Sequence, residues 1–271
     1  MNRTLQYRAA ACAAIAIAVT VFTLAGPARA QPAAAATPPA CVIPQELARF
    51  DLPLRRTARK LTAGLPITIV AVGSSSTSGA GASSPYNTYP SRLDADLAQE
   101  FVDHEITVLN RGVSGDRATD MLARFQADVI AEKPDLVLWQ VGTNSLLNGD
   151  PIQPHRSLLQ KGIERLKKIG ADIVLIDPQY APRVIARPNA EAMLALLDRT
   201  ARLEAVNIFH RFALMRHWHV AEAMPFSAFL SPDELHMNDF SYGCVARALS
   251  GAISEAATRP VASAAAPNLK R

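Results

Sequence analysis

Residues 67–81 read Ile-Thr-Ile-Val-Ala-Val-Gly-Ser-Ser-Ser-Thr-Ser-Gly-Ala-Gly, an apolar run followed by a serine- and glycine-rich turn. The β-branched residues at 67–72 are typical of a strand that is covered on both faces. The glycines allow a tight turn and a close approach of backbone N–H groups to a ligand. Taken alone, the turn also fits a polar loop, whereas neither common phosphate-binding glycine pattern is present. The stretch predicts a buried strand that ends at a serine hydroxyl.

The chain on either side alternates between strand-like and helix-like segments. Apolar runs predict further strands at 106–109, 136–141, 173–176 and 206–209, and helical patterns lie near 89–101, 118–131, 155–169, 189–204 and 239–256. Strands separated by helices of this length favour a parallel sheet with helices on both faces. We therefore expect a three-layer α/β/α sandwich of about five parallel strands, flavodoxin-like in style, over residues 45–258. Ligands of such sheets bind outside the carboxyl ends of the strands.

Three further polar segments fall at this edge of the predicted sheet. The second strand is followed by Asn-Arg-Gly-Val-Ser-Gly-Asp at 110–116, the third by Gly-Thr-Asn at 142–144, and the last helix is preceded by Asp-Glu-Leu-His at 233–236. Singly, each fits a turn, a helix cap or a surface pair. A carboxylate within one turn of an imidazole can also fix its tautomer. Together with a serine, these segments supply the nucleophile, base, orienting acid and oxyanion donors of acyl transfer.

The four segments, in this order, resemble the sequence blocks of the SGNH (GDSL-like) hydrolase superfamily, and the resemblance covers roughly residues 65–256. It implies a flavodoxin-like SGNH hydrolase fold. It also implies a catalytic Ser75, Asp233 and His236. The oxyanion hole would consist of the N–H groups of Ser75 and Gly115 and the side-chain amide of Asn144.

One position departs from the superfamily pattern. The first block usually reads Gly-Asp-Ser, whereas this chain has Ser74 in place of the aspartate. In the superfamily that aspartate supports the loop and does not accept the proton. We therefore expect altered packing of the loop and a working nucleophile at Ser75.

The implied activity is that of a serine esterase that hydrolyses carboxylic esters through a Ser75 acyl-enzyme, with no metal or organic cofactor. Its partner would be a small-molecule or glycan ester, such as a short-chain acyl ester, an acetylated polysaccharide or acetylated peptidoglycan. Two alternatives stay open: a periplasmic O-acyltransferase that uses the same residues, and a non-catalytic glycan-binding relative.

His217 and His219 form a weak candidate metal pair, because alternate residues of a helix do not face each other.

The first thirty residues have the features of a signal peptide. Arg3 and Arg8 precede an apolar run at 9–24, and Ala28-Arg29-Ala30 gives the small-x-small pattern of a cleavage site after Ala30. An N-terminal anchor is the alternative, but the run is short for a membrane-spanning helix. We expect a periplasmic or secreted protein without a membrane span after cleavage, with a Pro/Ala-rich tether at 31–44 and a flexible tail at 259–271.

The net charge and the cysteine content indicate which partners and which redox compartment to expect. Three arginines and no acid leave with the signal, so the net charge falls from +4 to about +1. With no basic stripe in the sequence, we expect no nucleic-acid partner.

Cys41 and Cys244 are the two cysteines of the mature chain. In an oxidising compartment they predict a disulfide, with two free thiols as the alternative. The oligomeric state is not indicated.

Overall fold

The computed structural model describes residues 40–260, so the predicted signal peptide and most of the predicted tether and tail lie outside the described residues. Five parallel strands form one sheet in the order β2-β1-β3-β4-β5. Their bounds are β1 Ile67–Gly73, β2 Ile106–Gly112, β3 Leu136–Gln140, β4 Asp172–Ile176 and β5 Asn207–Phe209. All five coincide with the strands predicted from the apolar runs.

Helices cover the sheet and connect its strands. Their bounds are α1 Arg55–Thr62, α2 Ser75–Ser78, α3 Tyr89–Glu100, α4 Ala118–Asp128, α5 Thr143–Asn148, α6 Gln153–Lys168, α7 Pro182–Ile185, α8 Ala190–Leu203, α9 Arg211–Val220, α10 Phe226–Phe229 and α11 Asp239–Thr258. On one side α3 and α1 pack against α11, and on the other α6 packs against α4 and α8. The strand order is that of a flavodoxin-like sheet. The predicted three-layer α/β/α fold is confirmed.

The two central strands are apolar because neighbours cover them on every side. Val70 of β1 pairs with Leu109 of β2 on one flank and with Val137 of β3 on the other. Val70 and Val137 are fully buried, as is Trp139 in β3. Burial of such side chains stabilises each of them by about 1.5–3 kcal/mol relative to exposure. The strands run parallel, so the polar segments that follow β1, β2 and β3 all leave from the same edge of the sheet.

Two glycines let the short helix α2 approach this edge closely. Gly73 ends β1 and pairs with Gly112, which ends β2. A Cβ atom on Gly112 would lie 2.1 Å from the backbone nitrogen of Ser78. One on Gly73 would lie 2.2 Å from Oγ1 of Thr77. Because no side chain separates α2 from the strand ends, Ser75 begins the helix directly above the sheet.

The N-terminal end of the described chain is bound to the domain. Cys41 and Cys244 form a disulfide whose Cα atoms are 5.7 Å apart. Nε1 of Trp218 donates to the carbonyl of Val42 at 2.7 Å, and Ile43 packs against the core. Residues 41–43 of the predicted tether at 31–44 thus contact the folded domain. Within residues 40–260, no helix has both the length and the apolar character needed to cross a bilayer.

The contact between α2 and β2 gives a test of the fold. Gly112→Ala places a methyl group against helix backbone, so we expect a loss of about 1–3 kcal/mol in the free energy of unfolding. The matched control is Gly251→Ala in α11, where nothing lies within 4 Å of the added Cβ. Alanine is the better helix former, so this control should be neutral or stabilising. Equal losses in urea unfolding of both variants would contradict the close approach of α2.

Candidate active site

Ser75 lies at the carboxyl end of β1, where it is the first residue of α2 and is partly exposed. Its Oγ is 2.8 Å from Nε2 of His236, a residue 161 positions later in the chain. At the first helical position its N–H has no partner within the helix. The hydroxyl and the N–H of one residue are therefore both presented at the sheet edge.

His236 is held by Asp233 through both its backbone and its ring. Oδ1 of Asp233 accepts the N–H groups of Leu235 and His236 at 3.1 and 2.9 Å. Oδ2 of the same carboxylate is hydrogen-bonded to Nδ1 of the His236 ring. Burial raises the pKa of Asp233, but these hydrogen bonds outweigh it, and the net pKa lies below the ordinary value. An ionised Asp233 accepts Nδ1–H, which leaves the lone pair of Nε2 directed at the Ser75 hydroxyl.

The loop that carries this pair is closed on itself and bent sharply. Leu230 and Met237 pair as an isolated antiparallel bridge, and the N–H of Ser231 donates to the carbonyl of His236 at 2.8 Å. Between them Glu234 has a φ of 58°, in the left-handed region that disfavours side chains. Such strain persists only where the surrounding structure enforces it. Here it turns the chain so that the Asp233 carboxylate reaches Nδ1 of the His236 ring.

Asn144 follows β3 and Gly115 follows β2, the two strands that flank β1. Asn144 is the second residue of α5, after β3, and its Nδ2 donates to the carbonyl of Asp116 at 2.9 Å. An amide nitrogen has two protons, so a second N–H remains for another acceptor. Gly115 precedes Asp116 on an exposed turn with a φ of 88°. The Asn144 side chain therefore both fixes the Gly115 turn and offers a donor beside it.

The Gly115 turn is also fixed to the nucleophile segment. Oγ of Ser114 lies 3.2 Å from Oγ of Ser78 in α2. Nε of Arg124 donates to the carboxylate of Asp116 at 2.7 Å, and its Nη2 donates to the carbonyl of Gly73 at 3.1 Å. Because Arg124 bridges the end of β1 and the turn after β2, the two loops hold a constant separation.

Ser74, where the superfamily pattern has an aspartate, is buried against β3. Its N–H and its hydroxyl both donate to Oε1 of Gln140, at 2.8 and 3.0 Å. Oγ1 of Thr77 donates to the same oxygen at 3.3 Å. The loop thus donates three hydrogen bonds to a neutral amide oxygen on the neighbouring strand. Gln140 was not among the residues that the sequence patterns indicated, because its partners come from a loop that only the fold brings to it.

The two histidines weighed as a metal pair have separate partners. Nε2 of His217 lies 3.1 Å from Glu222, whereas Nδ1 of His219 lies 2.8 Å from the carbonyl of Met224. The His219 ring stacks on Phe226 with centroids 4.1 Å apart. No group of three or more His, Cys, Asp or Glu in the described part of the chain could hold a metal ion. His219 thus packs against aromatic side chains, whereas His217 pairs with Glu222.

A cavity of about 680 Å³ adjoins the base loop. It is lined by apolar side chains together with hydroxyl, amide and carboxylate groups. The lining residues are Gly81, Ala82, Phe226, Ser227, Leu230, Ser231, Pro232, Glu234 and Asn238. A Cβ atom on Gly81 would lie 3.1 Å from Cβ of His236, so the cavity adjoins the base loop at that residue, although neither Ser75 nor His236 is among the residues that line it.

The known proteins to which the chain is similar include two partial relatives and a solved structure that matches most of its length. The chain is 35% identical over 100 residues to an arylesterase of Vibrio mimicus, covering 35% of this chain and 49% of that protein. It is 33% identical over 115 residues to the esterase TesA of Pseudomonas aeruginosa, covering 40% and 56%. The chain thus spans about half the length of these curated relatives. A two-domain esterase active on acetylated mannans superposes with a TM-score of 0.67 at 20% identity, over 82% of this chain and 58% of that one.

A family model gives the widest coverage of the sequence. The model of the non-GDSL lipase-like family matches residues 40–259, which include every segment described above. The expected relationship to SGNH hydrolases is confirmed by this match and by the fold. The chain belongs to the non-GDSL lipase-like family.

Proposed function

We propose that the protein is a serine esterase that hydrolyses carboxylic esters, with Ser75 as nucleophile, His236 as base and Asp233 as its orienting acid. The observation that carries the proposal is the unbroken chain of hydrogen bonds from Oγ of Ser75 through the His236 ring to Asp233. The arylesterase and esterase names of the two partial relatives support the same chemistry.

The reaction proceeds in two acyl transfers. Oγ of Ser75 attacks the ester carbonyl carbon while Nε2 of His236 takes the hydroxyl proton. The tetrahedral intermediate then breaks its bond to the leaving alcohol, which receives that proton from His236. Water attacks the acyl-enzyme with His236 again as base, and the carboxylic acid leaves as Ser75 regains its proton.

Negative charge develops on the carbonyl oxygen in both steps. The N–H groups of Ser75 and Gly115 and the free N–H of Asn144 are the proposed donors to it. Removal of one such donor typically lowers the rate by about 10²–10³. The fixed loops around Gly115 keep these donors oriented, so they need no reorganisation as charge develops.

The substrate class we propose is a short-chain or acetyl ester carried by a glycan. The cavity that adjoins the base loop is lined by apolar side chains at Phe226 and Leu230 and by hydroxyl groups at Ser227 and Ser231. Such a lining fits an alcohol moiety with both apolar faces and polar edges. The structural neighbour acts on acetylated mannans, which is the same combination of acyl group and alcohol.

We also propose that the protein is exported. The signal-like residues 1–30 lie outside the described chain, whereas the Cys41–Cys244 disulfide is of the kind that persists in oxidising compartments.

The superfamily aspartate missing at Ser74 was the support for a non-catalytic glycan-binding relative. Gln140 supplies a hydrogen-bond acceptor for that loop, so the departure no longer favours loss of activity.

Replacement of either reacting residue tests the proposal. Ser75→Ala and His236→Ala should each lower p-nitrophenyl acetate turnover to background, because attack needs both the oxygen and the base. Ser76→Ala is the matched control, since the Ser76 hydroxyl is buried in the same helix and has no hydrogen-bond partner among residues 40–260. This control should keep its activity. If Ser74→Ala were as damaging as Ser75→Ala with the fold intact, the assignment of the nucleophile would be wrong.

Asp233 should act only through the ring that it orients. Asp233→Asn keeps an oxygen for the two backbone N–H groups but presents no carboxylate to Nδ1. We expect kcat to fall by less than in His236→Ala, because the nucleophile and base remain. The lowered pKa keeps the carboxylate ionised down to more acidic pH than an ordinary aspartate. The carboxyl carbon-13 NMR resonance of Asp233 should therefore titrate at a lower pH than that of an ordinary aspartate, and titration at or above the ordinary aspartate pKa would contradict an ionised Asp233.

The substrate class is tested with esters of graded chain length beside acetylated xylan and peptidoglycan. We expect release of acetate from a glycan and a falling rate with longer acyl chains. Product analysis with a glycan acceptor separates water from a sugar hydroxyl as the second nucleophile. Exclusive transfer of the acyl group to the acceptor would favour the acyltransferase alternative over hydrolysis.

A further inference from the structure

Gln179 lies just after β4 and connects three segments beneath the candidate active site. Gln179 is 1% exposed, and all the hydrogen bonds of its side chain are to residues in other segments of the chain. Its Oε1 accepts from Oγ1 of Thr143 and from Nη2 of Arg211, both at 3.0 Å. Its Nε2 donates to the carbonyl of Leu235 at 3.2 Å. One buried amide therefore joins α5, α9 and the base loop.

Two of these partners are the immediate chain neighbours of proposed site residues. Thr143 precedes Asn144, the proposed oxyanion donor, and Leu235 precedes His236, the proposed base. The main chain transmits a displacement of either partner directly to the next residue. Gln179 thus fixes the distance between the segment before Asn144 and the segment before His236. It does so from the buried side of the site, which the substrate does not need to contact.

Arg211 determines which way the Gln179 amide faces. The guanidinium is fully buried at the start of α9, and its Nε donates to the carbonyl of Asp177 at 3.0 Å. Arginine only donates hydrogen bonds, so the amide oxygen must face it, and the amide nitrogen must then face the Leu235 carbonyl. The charge on the donor also strengthens the bond. The three contacts are consistent with a single orientation of Gln179.

The base loop depends on this anchor because its outer side faces solvent. The Asp233 side chain is 42% exposed, and the loop contains the strained backbone of Glu234. The side chain of Leu235 is buried, and its carbonyl points into the domain toward Gln179. A strained and exposed loop returns to lower-energy conformations unless a buried contact prevents it.

We propose that Gln179 is a positioning residue that sets the spacing between His236 and Asn144. The inference rests on the proposed function, in which these two residues act on the same carbonyl group. A displacement of about 1 Å in such an arrangement lowers a rate by about 10²-fold. Gln179 should therefore influence the chemical step and leave ground-state binding of the ester nearly unchanged.

Two substitutions separate the contacts. Gln179→Leu removes all three hydrogen bonds. Gln179→Glu keeps an acceptor for Thr143 and Arg211 and removes the donor to Leu235.

Asn207→Leu is the matched control. Asn207 is 4% exposed, and its amide makes two hydrogen bonds to the backbone of Leu52. It lies at the amino end of β5, away from the site. Each variant is first checked for cooperative unfolding.

We expect both Gln179 variants to lower kcat for p-nitrophenyl acetate by about tenfold or more, with KM within about threefold of wild type. Asn207→Leu should lose stability and keep its kcat. A Gln179→Leu protein that folds and retains kcat within about threefold overturns the proposal, as does an equal loss of kcat in Asn207→Leu.

A second readout does not depend on activity. The Nδ1 proton shared by His236 and Asp233 should give a downfield proton NMR resonance that His236→Ala abolishes. We expect Gln179→Leu to shift or broaden this resonance and Asn207→Leu to leave it in place. If the wild type cleaves no ester, the proposed function fails, and the resonance still decides on Gln179. An unchanged resonance in Gln179→Leu would show that the amide does not position the base.

Discussion

One hydrogen bond, between Oγ of Ser75 and Nε2 of His236 at 2.8 Å, joins the two reacting groups of the proposed site. Its partners lie 161 residues apart, so only the tertiary fold brings them together. Parallel strands place Ser75 at the carboxyl edge of the sheet, and the closed loop before α11 returns His236 to the same edge. The strand order reverses between β1 and β3, and a crevice at such a switch point is where sheets of this kind bind ligands.

Close packing beneath that bond explains why the surrounding residues are of unusual types. Glycines at 73 and 112 let α2 contact the strand ends, and a side chain at either position would meet its atoms. A buried polar group that makes no hydrogen bond lowers the stability of the fold. Gln140 therefore accepts from the nucleophile loop, and Gln179 pairs with the segments before Asn144 and His236. Two buried glutamines at the ends of β3 and β4 thus connect the sheet to the candidate site.

The sequence predicted the strands and the long helices because their apolar periodicity reflects burial, a local property. The helices α1 and α9 were not predicted, since α1 has few apolar residues and α9 follows β5 without a clear turn signal. The site residues were proposed by resemblance, and in the structure hydrogen bonds join Ser75 to His236 and His236 to Asp233. Their catalytic roles stay a prediction. The roles of Gln140 and Gln179 could not be predicted, because a glutamine's partners depend on which distant segments face it.

The most direct test of the central claim is to map the adduct formed with a fluorophosphonate, which reacts with a serine activated by a neighbouring base. After digestion and mass spectrometry, the account predicts one adduct, on Oγ of Ser75, and none in the His236→Ala protein. A phosphonate on Ser74, Ser76 or a serine elsewhere, or labelling that survives the loss of His236, would contradict a nucleophile at the end of β1 that is activated across the sheet edge.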